Sequence, residues 1–263
     1  MAGTPIAVAL LFPDLLGTYG DSGNAAILAQ RLRWRGHAAE VLTVRSGDAV
    51  PASADLYVLG GGEDLPQALA TRQIGRGGPL THAVEAGAPV LAVCAGLQIL
   101  GTSFVGPDGV EADGLGLVDC CTVRGTGPRA VGELVVDPPP GIDLPTLTGY
   151  ENHGGVTILG PGTEPAGRVR SGVGNGDGFD GFRSGRIFGT YLHGPVLARN
   201  PALADWLLGR VVGDLTPLDD QESEELRTSR LSVAHAEASG GTGRSWRNRR
   251  PQLVSRRRRR QGR

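Results

Sequence analysis

Short apolar runs alternate with amphipathic stretches over the first hundred residues of the chain. The runs predict strands, and the stretches predict helices because their apolar residues recur every three to four positions. We predict strands at residues 5–13, 38–44, 54–64 and 88–94, and helices at residues 24–36, 79–87 and 95–101. Strands that alternate with helices are typical of βαβ units. The pattern therefore indicates an α/β fold with a mostly parallel sheet flanked by helices.

Polar and glycine-rich turns follow three of the four apolar runs. They occupy residues 19–24, 60–64 and 94–96. Open parallel sheets bind their ligands at the carboxyl ends of the strands. We therefore expect these three turns to meet at one edge of the sheet and to form the functional site.

The pattern changes near residue 115. Short strands between turns then predict an antiparallel extension. Residues 200–213 predict a final amphipathic helix capped by Asn200, as Asn24 is expected to cap the first helix. We assign residues 1–218 to one domain. Residues 219–263 are charged and rich in arginine, so we expect a mostly disordered tail.

Composition and charge exclude several classes of function. The net charge of −1 argues against nucleic acid as a partner of the whole chain. All 26 basic residues are arginine, which excludes both the lysine of a phosphate-binding P-loop and a lysine Schiff base with pyridoxal phosphate. Three cysteines do not make a disulfide framework, and the N-terminus lacks the basic region of an export signal. We expect a cytoplasmic protein without a membrane span or a metal site.

Cys94 lies at the end of an apolar run, in the stretch VLAVCAGLQILG. Ala95 and Gly96 give the tight strand-to-helix turn that a nucleophile elbow requires. A helix N-terminus also favours a thiolate and offers N–H groups to an oxyanion. However, a small buried residue in a core strand would give the same pattern, and these residues alone leave both interpretations open. Cys120 and Cys121 lie within a strand without glycines, which favours a structural role.

A thiol nucleophile needs a base, and the chain has five histidines. His37, His82 and His235 fall in a loop, on a helix face and in the tail, so we expect them at the surface. His153 and His193 both lie at strand ends beside glycine. His193 ends a clear strand and directly precedes the last helix, which favours it as the base. For His153 we favour a structural, loop-ordering role.

Several motifs in one order resemble a known family. The cysteine stretch is similar to the nucleophile motif of class I glutamine amidotransferases, and GTYLHGP resembles the histidine motif of their CobB/CobQ-like branch. Further stretches look like the GatD-type glutaminase subunits of lipid II isoglutaminyl synthase, namely LFPDLLGTYGDSGN, LRWRG, VLGGGED and GYENHGG. The resemblance runs from about residue 6 to residue 212. It implies a flavodoxin-like sheet and a glutaminase.

The resemblance implies a role for each motif residue. Cys94 would attack the side-chain amide of L-glutamine, and His193 would carry the proton to the departing ammonia. The N–H groups of Ala95 and Gly61 would stabilise the oxyanion. Arg129 would hold the carboxylate of glutamine, a task that suits the guanidinium fork. No cofactor is expected in this chain.

One position departs from the wider class, and the departure involves a partner. Class I enzymes usually carry a glutamate two residues after the histidine, where this chain has Pro195. Asp21, Glu63 and Glu151 are alternatives within the chain, and the GatD branch implies an acid supplied by the partner. That partner would be a MurT-type ligase subunit in a heterodimer. It would bind ATP and magnesium and would amidate D-glutamate of lipid II with channelled ammonia.

Two other functions compete with this interpretation. The same glutaminase could serve another acceptor, such as a cobyrinic acid. A cysteine hydrolase or peptidase on a similar sheet would need neither Arg129 nor a partner. For the tail we favour a solvated extension, with an electrostatic contact to an anionic membrane or to nucleic acid as the alternative. The complex itself would offer the inner membrane face as a second location besides the cytoplasm.

Overall fold

The computed structural model describes residues 4–106 and 108–239. Fourteen strands lie within these residues: β1 Ile6–Leu11, β2 Ala39–Val44, β3 Leu56–Leu59, β4 Val90–Val93, β5 Ser103–Val105, β6 Glu111–Asp113, β7 Cys120–Arg124, β8 Ala130–Asp137, β9 Leu147–His153, β10 Gly155–Leu159, β11 Gly167–Ser171, β12 Phe179–Asp180, β13 Phe182–Ser184 and β14 Ile187–Thr190. The helices of the same residues are α1 Gly23–Trp34, α2 Asp64–Ile74, α3 Pro79–Glu85, α4 Ala95–Leu100, α5 Val196–Arg199, α6 Pro201–Val212 and α7 Gln221–Ser239.

The central sheet has six strands in the order β13-β14-β4-β3-β1-β2. Five of them are parallel, and only β13 runs antiparallel, against β14. The strands β3, β4 and β14 are buried along their whole length because helices cover both faces. The order β2-β1-β3-β4-β14 is that of flavodoxin-like folds. The predicted α/β class and parallel sheet are therefore confirmed.

Two smaller sheets make up the predicted antiparallel extension. One has the order β10-β7-β5-β6 and the other the order β12-β11-β8-β9. Their pairings are antiparallel except for a single parallel pair between β5 and β7. The strand β9 brings residues 147–153 against the carboxyl edge of the central sheet, where Tyr150 and His193 exchange backbone hydrogen bonds.

The predicted cap residues behave differently from expectation. Asn24 does not cap α1, because the helix already begins at Gly23. Its buried side chain instead accepts a hydrogen bond from the N–H of Leu197 (3.0 Å). Asn200 does occupy the cap position of α6, but its side chain binds the backbone of Thr148 on β9. Both asparagines therefore join separate elements rather than closing a helix end.

The structure differs from the expected disorder over residues 221–239, which form helix α7. The preceding segment is fixed by Arg31 of α1, whose buried guanidinium binds Asp205 of α6 and Asp220 at distances of 2.6–2.7 Å. Further along, Arg227 donates to the carbonyl of Thr146. The Arg-rich residues 240–263 lie outside the described residues. None of the helices in the described part of the chain has both the length and the apolar character to cross a bilayer.

Candidate active site

Cys94 lies between β4 and α4 in a backbone conformation that residues other than glycine rarely adopt. Its φ is 50° and its ψ is −105°. Such strain persists only where the surroundings enforce it, and it is the hallmark of a nucleophile elbow. Its N–H donates to the carbonyl of Thr190 on β14 (2.9 Å). Gly96 is required next to it, because a Cβ there would lie 2.8 Å from Leu59 Cβ and 3.0 Å from the Gly60 carbonyl oxygen.

His193 lies three residues beyond β14 and is completely buried. Its Nδ1 is 2.8 Å from Oδ2 of Asp21, which is also completely buried. Nε2 has no conventional hydrogen-bond partner among the described residues, and the Cys94 thiol is its neighbour. The ring of Tyr19 packs against the imidazole at a centroid distance of 4.7 Å. The structure thus brings Cys94, His193 and Asp21 together in the order that a nucleophile, a base and an orienting acid would need.

The surroundings of His193 favour its protonated form. Burial alone would lower the pKa of this imidazole. The hydrogen bond with Asp21 and the interaction with the neighbouring Cys94 thiol outweigh burial and raise the pKa of His193 to about 10. A histidine that keeps its proton in this way can stabilise a thiolate beside it.

Asp21 is the carboxylate that contacts His193 in this chain, which has Pro195 at the usual glutamate position. It lies in the loop between β1 and α1, and its Oδ2 accepts hydrogen bonds from both His193 and the N–H of Gly61. The chain therefore orients its histidine with its own carboxylate, and the expectation that a partner must supply this acid is not needed to explain the geometry. Glu63 is exposed at the start of α2, and Glu151 binds elsewhere.

Glu151 and His153 form a second buried pair on β9. The ring of His153 stacks on Tyr191 at 3.8 Å, its Nε2 is 3.2 Å from Glu151, and its Nδ1 is 3.0 Å from the carbonyl oxygen of Gly155. Glu151 also accepts the N–H groups of Val173 and Gly174. These contacts fix a loop and leave neither ring nitrogen free, as the structural role proposed for His153 requires.

A cleft of about 310 Å³ opens above Cys94. It is lined by turns and strand ends from three sheets, and Arg129 and Asn152 are among the lining residues. The guanidinium of Arg129 binds the side-chain oxygen and the carbonyl of Asn152. The carboxamide of Asn152 in turn donates to the hydroxyl of Tyr19 (2.6 Å). Arg129 is thus held at the cleft that contains Cys94, as its expected role requires.

Of the two expected oxyanion donors, only Ala95 keeps a suitable position. Its N–H is the first of helix α4, and the first N–H groups of a helix have no acceptor within the helix. The N–H of Gly61 donates to Asp21 at 2.9 Å, so it is directed into the protein and the prediction for this residue is corrected. The next residue of the loop, Gly62, lines the cleft with Cys94. Gly61 itself packs against the histidine, because a Cβ there would lie 2.5 Å from His193 Cε1.

The remaining candidates lie away from the cleft or are shielded from it. Burial raises the pKa of Cys120 to about 12, and burial also raises that of Cys121. His37 and His82 are exposed, and the side chain of His235 lies outside the described residues. Within residues 4–106 and 108–239, no group of three or more histidine, cysteine, aspartate or glutamate side chains could hold a metal ion.

A cysteine at a strained strand-to-helix turn beside a buried histidine, on this sheet, is the arrangement of a class I glutamine amidotransferase. The family model of the CobB/CobQ-like glutamine amidotransferase domain matches residues 7–201. The chain therefore belongs to the CobB/CobQ-like glutamine amidotransferase family and is an enzyme of that type. A solved glutamine amidotransferase has the same fold, with a TM-score of 0.53 and 21% identity over 78% of this chain and 98% of that chain.

Two curated relatives are more similar in sequence. The GatD subunit of the glutamine-hydrolysing lipid II isoglutaminyl synthase of Staphylococcus aureus (strain N315) is 38% identical over 199 residues, which cover 74% of this chain and 79% of the relative. The GatD subunit of the corresponding enzyme of Streptococcus pneumoniae (strain ATCC BAA-255 / R6) is 31% identical over 201 residues, covering 75% of this chain and 76% of the relative.

Proposed function

We propose that this chain is the glutaminase subunit of a lipid II isoglutaminyl synthase. The observation that carries the proposal is the buried Asp21–His193 pair, whose unpartnered Nε2 faces the strained Cys94. Support for the acceptor comes from the GatD relatives, which cover most of this chain. L-glutamine would be the substrate, and glutamate and ammonia would be the products.

In the first half-reaction, Sγ of Cys94 attacks the side-chain carbonyl carbon of glutamine. The carbonyl oxygen becomes an oxyanion, for which the N–H of Ala95 and that of Gly62 are the proposed donors. His193 transfers its proton to the amide nitrogen, and the C–N bond breaks to release ammonia. A glutamyl thioester remains on Cys94.

In the second half-reaction, His193 removes a proton from a water molecule that attacks the thioester. The tetrahedral intermediate collapses, the C–S bond breaks, and glutamate leaves with a regenerated Cys94. Asp21 keeps Nδ1 of the imidazole occupied throughout, so that Nε2 is the nitrogen that carries the proton between the two halves.

Arg129 is the proposed binding group for the α-carboxylate of glutamine. Its contacts with Asn152 use Nε and Nη2 of the guanidinium, and Arg129 lines the same cleft as Cys94. A bidentate contact there would orient the amide toward the nucleophile.

The ATP-dependent step is assigned to a partner of the MurT type. This chain contains no lysine for a P-loop, so the proposal places ATP and magnesium on the ligase subunit. That subunit would activate D-glutamate of the lipid II stem peptide and receive ammonia by channelling. The complex would act in the cytoplasm, where it reaches lipid II through the ligase.

The test is a glutaminase assay on the chain alone and together with a MurT-type ligase subunit. We expect ammonia release from L-glutamine that is lost in Cys94→Ala and retained in Cys121→Ser, the matched control on β7. With ligase, ATP and lipid II, the ammonia should appear as amidated lipid II. Amidation of a cobyrinic acid instead would replace the acceptor, and peptide cleavage without glutaminase activity would reject the proposal.

A further inference from the structure

Asp180 is a completely buried carboxylate outside the catalytic arrangement described above. It ends strand β12 and faces the carboxyl end of β14. Its Oδ2 accepts the hydroxyl of Thr190 (2.6 Å), and its Oδ1 accepts the N–H of Tyr191 (3.1 Å). Neither donor is charged, and no arginine or histidine among the described residues forms an ion pair with it.

The two residues that Asp180 holds are the ones that join the nucleophile to the base. The carbonyl of Thr190 accepts the N–H of Cys94 (2.9 Å), and its hydroxyl accepts the N–H of Leu192 (3.0 Å). His193 follows directly. The phenol of Tyr191 accepts a hydrogen bond from Gln98 of helix α4, which begins after Cys94. One carboxylate therefore fixes the segment from which both reactive side chains are positioned.

An ionised carboxylate is energetically unfavourable at this buried position. Burial of a charge without a cationic partner disfavours the ionised form. Desolvation is the main cause that raises the pKa of Asp180 to about 6, with the two hydrogen bonds acting against it. Of the titratable groups on β9, Glu151 raises this pKa and His153 lowers it, while Arg168 and Arg170 on the paired strand β11 are exposed. A residue with only a structural role could hold this segment with an uncharged side chain.

Two acceptor oxygens explain the choice. Thr190 and Tyr191 both present donors, and only an ionised carboxylate accepts from both without presenting a donor of its own. An asparagine would direct its amide hydrogens either at the N–H of Tyr191 or at a hydroxyl that must then find another acceptor. We propose that Asp180 is a positioning residue that holds the Thr190–Tyr191 segment and thereby sets the geometry between Cys94 and His193.

The test compares Asp180→Asn with Asp177→Asn, which removes an exposed carboxylate three residues earlier, just before β12. The kinetic readout rests on the proposed glutamine hydrolysis. At pH 8 we expect Asp180→Asn to lower kcat about tenfold with little change in KM, since small displacements of reacting groups cost this much or more. The parent should lose activity in acid with a midpoint near pH 6, and the variant should lack this limb. Asp177→Asn should keep the parental profile.

Two further measurements keep the test decisive. The rate at which iodoacetamide alkylates Cys94, followed by peptide-resolved mass spectrometry, reports the Cys94–His193 geometry without glutamine. If Cys94 of the parent protein is alkylated but the protein hydrolyses no glutamine, the proposed function is rejected. The alkylation rates of parent and variant then still test the role of Asp180. If Asp180→Asn does not fold, Thr190→Val replaces it and should shift the acid limb to higher pH, whereas Thr190→Ser should not.

The proposal is overturned if the folded Asp180→Asn variant keeps the parental kcat and acid limb. It is equally overturned if the variant only unfolds at a lower temperature while its pH profile and alkylation rate stay parental, because that is the behaviour of a structural anchor. Parental behaviour of Thr190→Val leads to the same conclusion.

Discussion

Two buried histidine–carboxylate pairs lie at the same edge of the central sheet, and they differ in what is left unpaired. In the pair of His153 and Glu151, both ring nitrogens have acceptors and the ring stacks on Tyr191. In the pair of His193 and Asp21, only Nδ1 is engaged, and Nε2 remains free beside Cys94. A histidine can move a proton only through a nitrogen that the fold leaves available. The unpaired nitrogen, rather than burial or an acidic neighbour, therefore separates the base from the structural residue.

The largest expected effect comes from exchanging each histidine for glutamine. His193→Gln removes the group that moves the proton, and we expect glutaminase kcat to fall by about 10⁴-fold, the upper range for general acid–base catalysis. His153→Gln should keep most of kcat but unfold at a lower temperature. Steady-state assays and thermal unfolding measure both. Equal losses of kcat in the two variants would break the comparison.

Substitution of Asp21 should lower kcat more than substitution of Glu151, as for the two histidines. Asp21→Asn leaves the imidazole in place but weakens its orientation, so a loss of kcat of about 10²-fold is expected. Glu151→Gln should instead loosen the loop at Val173 and Gly174 without a comparable loss. Amide hydrogen exchange of that loop, measured beside the kinetics, would separate the two roles. Full activity of Asp21→Asn in the complex would mean that the partner supplies a second acid.

A pair of glycine substitutions sharpens the comparison at smaller scale. A Cβ on Gly61 would lie 2.5 Å from His193 Cε1, so Gly61→Ala must displace the imidazole and should lower kcat by about tenfold or more. Gly154 follows His153 directly, and a Cβ there meets no atom within 4 Å. Gly154→Ala should therefore be close to neutral. A neutral Gly61→Ala would show that the histidine has more room than this packing allows.

The last expected effect is on stability as a function of pH and not on catalytic rate. The pKa of His193 is raised from 6.5 to about 10, so the folded state holds a proton that the unfolded state releases. This contribution is complete below pH 6.5 and is lost as the pH rises toward 10. The unfolding midpoint of the parent should fall more steeply between pH 7 and pH 10 than that of His193→Gln. His153→Gln should keep the parental slope.

The reactive residues were accessible from sequence, but their orienting acid was not. Cys94 and His193 each follow an apolar run and have a glycine within two residues, which is a local signal. Asp21 is 172 positions from His193 and meets it only because β1 and β14 belong to one sheet. No local pattern distinguishes it from Glu63 or Glu151. The engagement of the Gly61 N–H was hidden for the same reason.

The elements of the fold that local sequence patterns mark were predicted, and those that depend on distant contacts were not. The buried parallel strands were predicted because continuous apolar runs mark them. Helix α2 was not predicted, since Pro66 and exposed polar residues obscure its short pattern. Helix α7 was expected to be disordered because its sequence is charged. It is fixed instead through Asp220, whose partner Arg31 lies 189 positions earlier, and through the contact of Arg227 with Thr146.

The ion pair between Arg31 and Asp220 has a practical consequence for anyone who shortens the chain. A fragment ending at residue 218 would keep every group of the cleft, and composition suggests that boundary. It would also remove Asp220 and leave the buried Arg31 with Asp205 as its remaining carboxylate. The loss of one of its two carboxylates costs stability, because less of the energy of removing the buried guanidinium from water is then offset. The safe place to cut the protein for expression or crystallisation is therefore beyond helix α7, at residue 239 or later.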